Sequence, residues 1–169
     1  MDNTKFYNLK IAKTLTGIED EELLKFYLDS VIEKIERILG YKLIKQEITR
    51  LINGLDTNYL FVPEKKIERV LNAKMACKKL DFSFVNRKII FDEVISKNSY
   101  IEIEYIAGYE TLPNDILMFI CNTVKENLSN EEGLKSYGIR GISYSFLSKT
   151  EQSDNFIRGV RDLFGSVDI

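Results

Sequence analysis

The hydrophobic period of this chain changes twice, and that double change constrains its fold more than any other feature. From Asp20 to Leu39 the apolar residues Leu24, Tyr27, Leu28, Val31, Ile35 and Ile38 recur at intervals of three and four, as on one face of a helix. From about residue 43 to 106 the period shortens toward two. Tyr100–Ala107 alternates cleanly, with Ile101, Ile103 and Tyr105 on one face and Glu102 and Glu104 on the other. From Pro113 the helical period returns through Ile116, Ile120, Val124 and Leu128. These switches predict an α+β fold, predominantly helical: a small helical bundle carrying an antiparallel β-rich insert. The chain reads as a single domain over 1–169, with a body at about 5–40 and 113–165 and an insert at about 43–107.

Local punctuation agrees with the periods. Asp20 is placed to cap the long helix, Glu21 and Glu22 suit the positive end of its dipole, and Gly40 stands where a helix stops. Leu23, Ile32 and Leu39 add a second apolar strip, which calls for two neighbours, in the same fold or in another subunit. A shorter helical pattern covers 5–15. In the insert, Ile44–Ile52 partly alternates, Asn53-Gly54 marks a turn, and Tyr59–Val62 is a strand halted at Pro63. Phe82–Val85 and Lys88–Phe91 read as a hairpin about Asn86-Arg87. Ile67–Met75 fits helix and strand equally, so about five strands are expected. Gly133–Gly141 reads as a loop with three glycines, and Ile142, Tyr144 and Phe146 alternate after it. Ser148 and Glu151 form a capping box for a last helix bearing Phe156, Ile157, Val160, Leu163 and Phe164.

Composition removes several function classes. Histidine is absent, so Ser-His and Cys-His nucleophile activation and imidazole metal ligation are absent too. Cys77 and Cys121 lie far apart with no ligand cluster around them, as expected of a reducing compartment. With 24 basic and 26 acidic residues, the net charge of −2 gives no global attraction to duplex DNA. No run approaches the ~20 apolar residues of a membrane span, and the first residues lack the apolar core of a signal peptide. The expectation is a soluble intracellular protein with no cofactor and no metal.

Three stretches resemble sites and fail on inspection. Gly133 and Gly138 have the spacing of a phosphate loop, but Ile139-Arg140 stands where Lys-Ser/Thr is required. Glu102 and Glu104 would need a third ligand to hold a cation, and alternation alone explains them as a solvated strand face. Lys65, Lys66, Arg69, Lys74, Lys78 and Lys79 are the densest positive run, near Tyr59 and Phe61. Glu64, Glu68 and Asp81 dilute it, so a solvated surface is the simpler reading than a nucleic-acid site. The apolar last helix packs in the core or docks on another protein.

One ordered set of segments remains: ILGY ending an early helix, YLFVP, IEYIAGY, LPNDI opening a helix, then a glycine-rich loop, SYSF and a final helix. In that order, over about residues 18–165, the chain resembles the head–tail connector (adaptor, or head-completion) proteins of tailed bacteriophages and prophages. The resemblance implies a non-enzymatic virion protein at the head–tail junction, made in the host bacterial cytoplasm. It implies a homo-oligomeric ring, typically a dodecamer, that docks on the portal protein, extends the DNA channel without sequence-specific binding and receives the next head-completion or tail protein. A tail-completion or tail-terminator protein is the alternative, and a small carboxylate-dependent enzyme a more remote one. The expected portal or neighbour contact comprises Gly138, Arg140, Tyr144 and Phe146 with Phe156, Ile157, Val160, Leu163 and Phe164. Gly108, Tyr109 and Pro113 form the structural junction, where the chain leaves the sheet and enters a helix.

Overall fold

The computed structural model describes residues 6–130, 136–139, 142–145 and 149–165. The chain divides into two compact units, one from Met1–Gly40 with Thr111–Ile169 and the other from Tyr41–Glu110.

The first unit is helical, with α1 (Leu9–Thr16), α2 (Glu21–Leu39), α3 (Asn114–Asn130) and α4 (Lys149–Phe164). Its ends are capped by the residues the sequence offers. Asn8 accepts from the Ile11 amide, and Asp20 accepts from the amides of Glu22 and Leu23. Gly17 and Gly40 close α1 and α2 in the left-handed conformation. Pro113 sits one residue earlier than expected: helix α3 starts at Asn114, and the Pro113 carbonyl accepts its first bond, from the Leu117 amide at 2.9 Å. The stripe of α2 is buried through Leu24, Leu28, Val31, Ile32, Ile35 and Leu39. It meets Ile116, Leu117, Ile120 and Val124 of α3 within one apolar core. Of the second apolar strip, Ile32 and Leu39 join this core, and Leu23 is left 46% exposed.

The β unit holds seven strands in two antiparallel sheets. One has the order β1 (Gln46–Asn53), β7 (Tyr100–Ala107), β3 (Ile67–Met75), β4 (Lys78–Lys79). The other has β2 (Thr57–Phe61), β6 (Lys88–Ile95), β5 (Phe82–Val85). Their inner faces share a core that includes Leu60, Val62, Ile89, Phe91, Ile101, Ile103 and Tyr105. The segment of ambiguous period is strand β3, and its ambiguity has a structural cause. Two register shifts, at Ile67/Arg69 and Val70/Asn72, each insert a residue. The positions opposite the inward Ala107, Tyr105 and Ile103 of β7 are therefore Ile67, Val70 and Ala73, three apart. Bulges have stretched a strand's period of two to a helix-like three.

Residues Gly133–Gly141, expected to form a loop, contain a strand. β8 (Ser136–Ile139) pairs with β9 (Ile142–Ser145), setting Tyr137 opposite Tyr144 and Ile139 opposite Ile142. Gly138 in the middle hides the alternation, because glycine weakens any strand reading. The capping box partner Ser148 lies outside the described residues.

The hairpin turns differ in chemistry. Asn86-Arg87 joins β5 to β6 with both residues at positive φ, and the Arg87 guanidinium donates to the carbonyls of Val62 and Pro63. Ala76-Cys77 joins β3 to β4 with φ of 47° and 67°, a geometry that favours Asn-Gly. An Ala76→Asn, Cys77→Gly double substitution is therefore expected to raise stability by about 1–2 kcal/mol, seen as a higher urea midpoint at unchanged slope.

Candidate assembly surfaces

The junction is built by backbone. At the end of β7 the Gly108 amide donates to the Lys66 carbonyl at 2.8 Å, and Tyr109 donates to Leu43 and accepts from Lys45. Ile44 and Tyr109 thus form a parallel bridge where the β unit begins and ends. Gly108 has φ +103°, and a Cβ there would lie 2.5 Å from the Ile44 carbonyl oxygen. A shallow groove of about 400 Å³ beside it is lined by Ile44–Glu47, Ile106, Tyr109 and Glu110. The residue types explain the bend: a glycine where φ is positive and the backbones touch, and a proline just ahead of a helix.

Arg50 of β1, Tyr105 of β7 and Glu64 form a polar cluster that sequence reading missed. Glu64, 1% exposed, accepts from Arg50 Nε at 3.1 Å and Nη2 at 2.6 Å, and from the Tyr105 hydroxyl at 2.5 Å. Tyr105 in turn accepts from Arg50 Nε at 2.9 Å. Burial, then the Glu64 carboxylate, pushes the Tyr105 phenol far above its ordinary range. The partners are 14, 41 and 55 residues apart, so no local pattern announces them. Both Glu64 oxygens and the Tyr105 hydroxyl are used inside the cluster, which fits a structural anchor rather than an acid–base pair.

The sequence suspects resolve in the same way. Glu102 and Glu104 flank Lys74, at 3.7 and 3.4 Å, on the outer face of the sheet. The basic run is divided: Lys74 serves these carboxylates and Lys78 serves Glu93. Among the described residues no group of three or more Cys, Asp or Glu side chains is arranged to hold a metal, and no helix is long and apolar enough to cross a membrane. Cys77 is exposed, whereas burial pushes the Cys121 thiol up to about 11. Ellman's reagent is expected to titrate Cys77 in the native protein and Cys121 only after denaturation; rapid native reaction of both thiols would contradict the packing of α3.

The expected contact residues divide by burial. On α4, Phe156, Val160 and Phe164 are buried in the helical unit, and Ile157 and Leu163 are half-buried. Phe156 stacks on Phe119 at 5.6 Å, with Lys34 Nζ 4.2 Å above its ring. Gly159 lets α4 approach: a Cβ there would lie 2.5 Å from the Phe119 ring. Core packing therefore occupies three of the five apolar residues of this helix. Gly138 and Tyr144 lie on β8 and β9, while Arg140 and Phe146 lie outside the described residues.

Among the exposed apolar residues, two groups share a helix face or a groove. Phe26 and Leu23, one turn apart on α2, are 66% and 46% exposed. Phe26 lies on the side of α2 opposite the buried stripe, so its place in a polar face concealed it. In the β unit, β1 is an edge strand, and a groove of about 570 Å³ runs along Thr49–Asn53 with Phe61 and Pro63 beside it. Leu51 and Phe61 there are 67% and 58% exposed.

No protein-family model and no curated protein matches the sequence. Among solved structures, a chain from the virion of a native gene transfer agent (GTA) particle matches with a TM-score of 0.56 at 15% identity, over 100% of this chain and 93% of that one. A chain from the neck of a native GTA particle, computed with C12 symmetry, matches at 0.50 and 16% identity over 79% and 80% of the two chains. One from the neck of an empty GTA particle, computed with C6 symmetry, matches at 0.50 and 14% over 79% and 81%. At such identities the likeness is one of fold.

Proposed function

We propose that this chain is a ring-forming structural subunit of the neck of a tailed-phage-like particle, set between portal and tail. There it extends the DNA channel and receives the next head-completion or tail protein. The observation that carries this reading is the shared fold with a virion chain of a gene transfer agent particle over the whole of this chain. The symmetric necks that hold the other fold relatives support a ring, which we take as a dodecamer. In this reading the β unit is an insert within a single connector domain, and the protein is not an enzyme. A closed ring needs heterologous contacts, one patch meeting a different patch on the next copy. A net charge of −2 per copy suits a channel wall along which DNA slides, because dense phosphate contacts would retard it. The portal or neighbour contact is assigned to Gly138 of β8 and Tyr144 of β9, to Arg140 and Phe146, and to the half-buried Ile157 and Leu163 of α4. Negative-stain imaging of the purified chain with the portal of the same particle should show a ring stacked on the portal. Separate species at high concentration of both would reject the proposal.

A further inference from the structure

We infer that Asn53 is a deamidation site gated by the loop between β6 and β7: closed in the folded β unit, and opened when Ser96–Ser99 lifts from Gly54. This does not rest on the ring reading. Asn-Gly is the dipeptide whose side chain cyclises most readily, because glycine puts no side chain in the way of its own amide nitrogen. The chain has one such pair, Asn53-Gly54. Its residue types signal a hairpin turn, but β1 and β2 lie in different sheets, and the φ of Gly54 is not left-handed. Contact requires the glycine instead. A Cβ on Gly54 would collide with the Ser96 carbonyl oxygen and lie 2.7 Å from the carbonyl carbon.

The same close approach restrains the reaction. Gly54 is buried, and its amide, whose nitrogen must attack, donates to the Ser99 carbonyl at 2.9 Å. Asn53 ends β1 opposite Tyr100, and closing the ring requires its backbone to turn away from strand geometry. The loop is held down by Asp56, whose Oδ1 accepts from the Lys97 amide at 2.9 Å and whose own amide donates to the Ile95 carbonyl at 2.9 Å. Once the loop lifts, the Gly54 nitrogen bonds to the Asn53 side-chain carbonyl carbon. The bond to Nδ2 breaks, and ammonia leaves with the Gly54 proton. The cyclic imide then takes up one water, giving aspartate or isoaspartate. Isoaspartate adds a carbon to the main chain between Asn53 and Gly54, so the close fit on Ser96 cannot re-form. Asn53 therefore records, irreversibly, how long this loop has been open.

The test follows the full-length chain at mildly alkaline pH by peptide mapping. Unfolded in guanidinium chloride, the chain should deamidate at Asn53 at least about tenfold faster than when folded, since only the open fraction of the folded chain reacts. Asn53→Gln should remove the signal. Asp56→Ala should raise the folded-state rate at least about threefold and leave the unfolded rate unchanged. Asp56→Asn keeps an acceptor and tolerates the positive φ of this position, so it should restore protection. A urea midpoint for each variant separates loop opening from global unfolding. Equal rates in folded and unfolded chains would overturn the gate. So would protection that Asp56→Ala leaves intact, or a rise that the loss of global stability accounts for in full.

Discussion

Gly108→Val is expected to lower stability by about 4 kcal/mol, from backbone strain at an incompatible φ together with collision against main chain. Two independent penalties act at this position. With φ +103° a β-branched residue has no comfortable conformation, and its Cβ would fall 2.5 Å from the Ile44 oxygen, 2.6 Å from the Ile44 carbonyl carbon and 2.8 Å from the Leu43 oxygen. These are backbone atoms in the strap that holds Tyr109, so they cannot swing aside as a side-chain end would. For a chain of this length the loss corresponds to a fall in melting temperature of roughly 8–16 °C. Gly40→Ala supplies the comparison. Gly40 also has positive φ, at +73°, but nothing lies within 4 Å of its Cβ position, so only the strain of about 1–2 kcal/mol applies. A Gly108→Val protein that melts no lower than Gly40→Ala would show that the junction can relax, and would remove its proposed role in fixing the start and end of the β unit.

The fold was legible where a single period held. Tyr100–Ala107 alternates without interruption and is strand β7, and the stripe and caps of Asp20–Gly40 give α2 almost to the residue. It was illegible where geometry altered the period. The bulges of β3 space its inward residues by three, and Gly138 conceals the pairing of β8 with β9. The candidate surfaces were harder still. Leu23 and Ile32 belong to one strip in the sequence, yet Ile32 is 7% exposed and Leu23 is 46%. Only packing separates them. Phe61 reads as the interior of a strand before Pro63, but it points outward because its neighbours Leu60 and Val62 take the inner face. Glu64 reads as one more surface carboxylate in a charged run, and becomes the most buried carboxylate in the β unit only because Arg50 and Tyr105 converge on it.

That convergence makes Arg50→Met the second substitution with a large expected effect. Glu64 is itself 1% exposed and keeps both oxygens occupied by Arg50 and Tyr105. Without Arg50 the carboxylate is left buried with one donor and no counter-charge, a loss of about 3–5 kcal/mol. The cost belongs to the abandoned charge rather than to the pair, and a set of variants separates the two. Arg50→Met with Glu64→Met removes both charges but orphans the Tyr105 hydroxyl, leaving a loss of about 1–3 kcal/mol. Adding Tyr105→Phe should bring stability back to within about 2 kcal/mol of wild type, since an apolar replacement of a buried ion pair is often neutral or better. Urea unfolding at neutral pH measures all three. Alkaline pH gives an independent reading. The Tyr105 phenol is raised in the folded state, so its contribution is complete below the ordinary phenol range near pH 10 and is lost as pH climbs through the folded value. Wild type should therefore weaken above about pH 10, and the triple variant should weaken less steeply, keeping the smaller share that comes from Tyr41, which burial also raises. An Arg50→Met protein within about 1 kcal/mol of wild type would mean that Glu64 finds water or another donor, and that the cluster is not the anchor of the β unit.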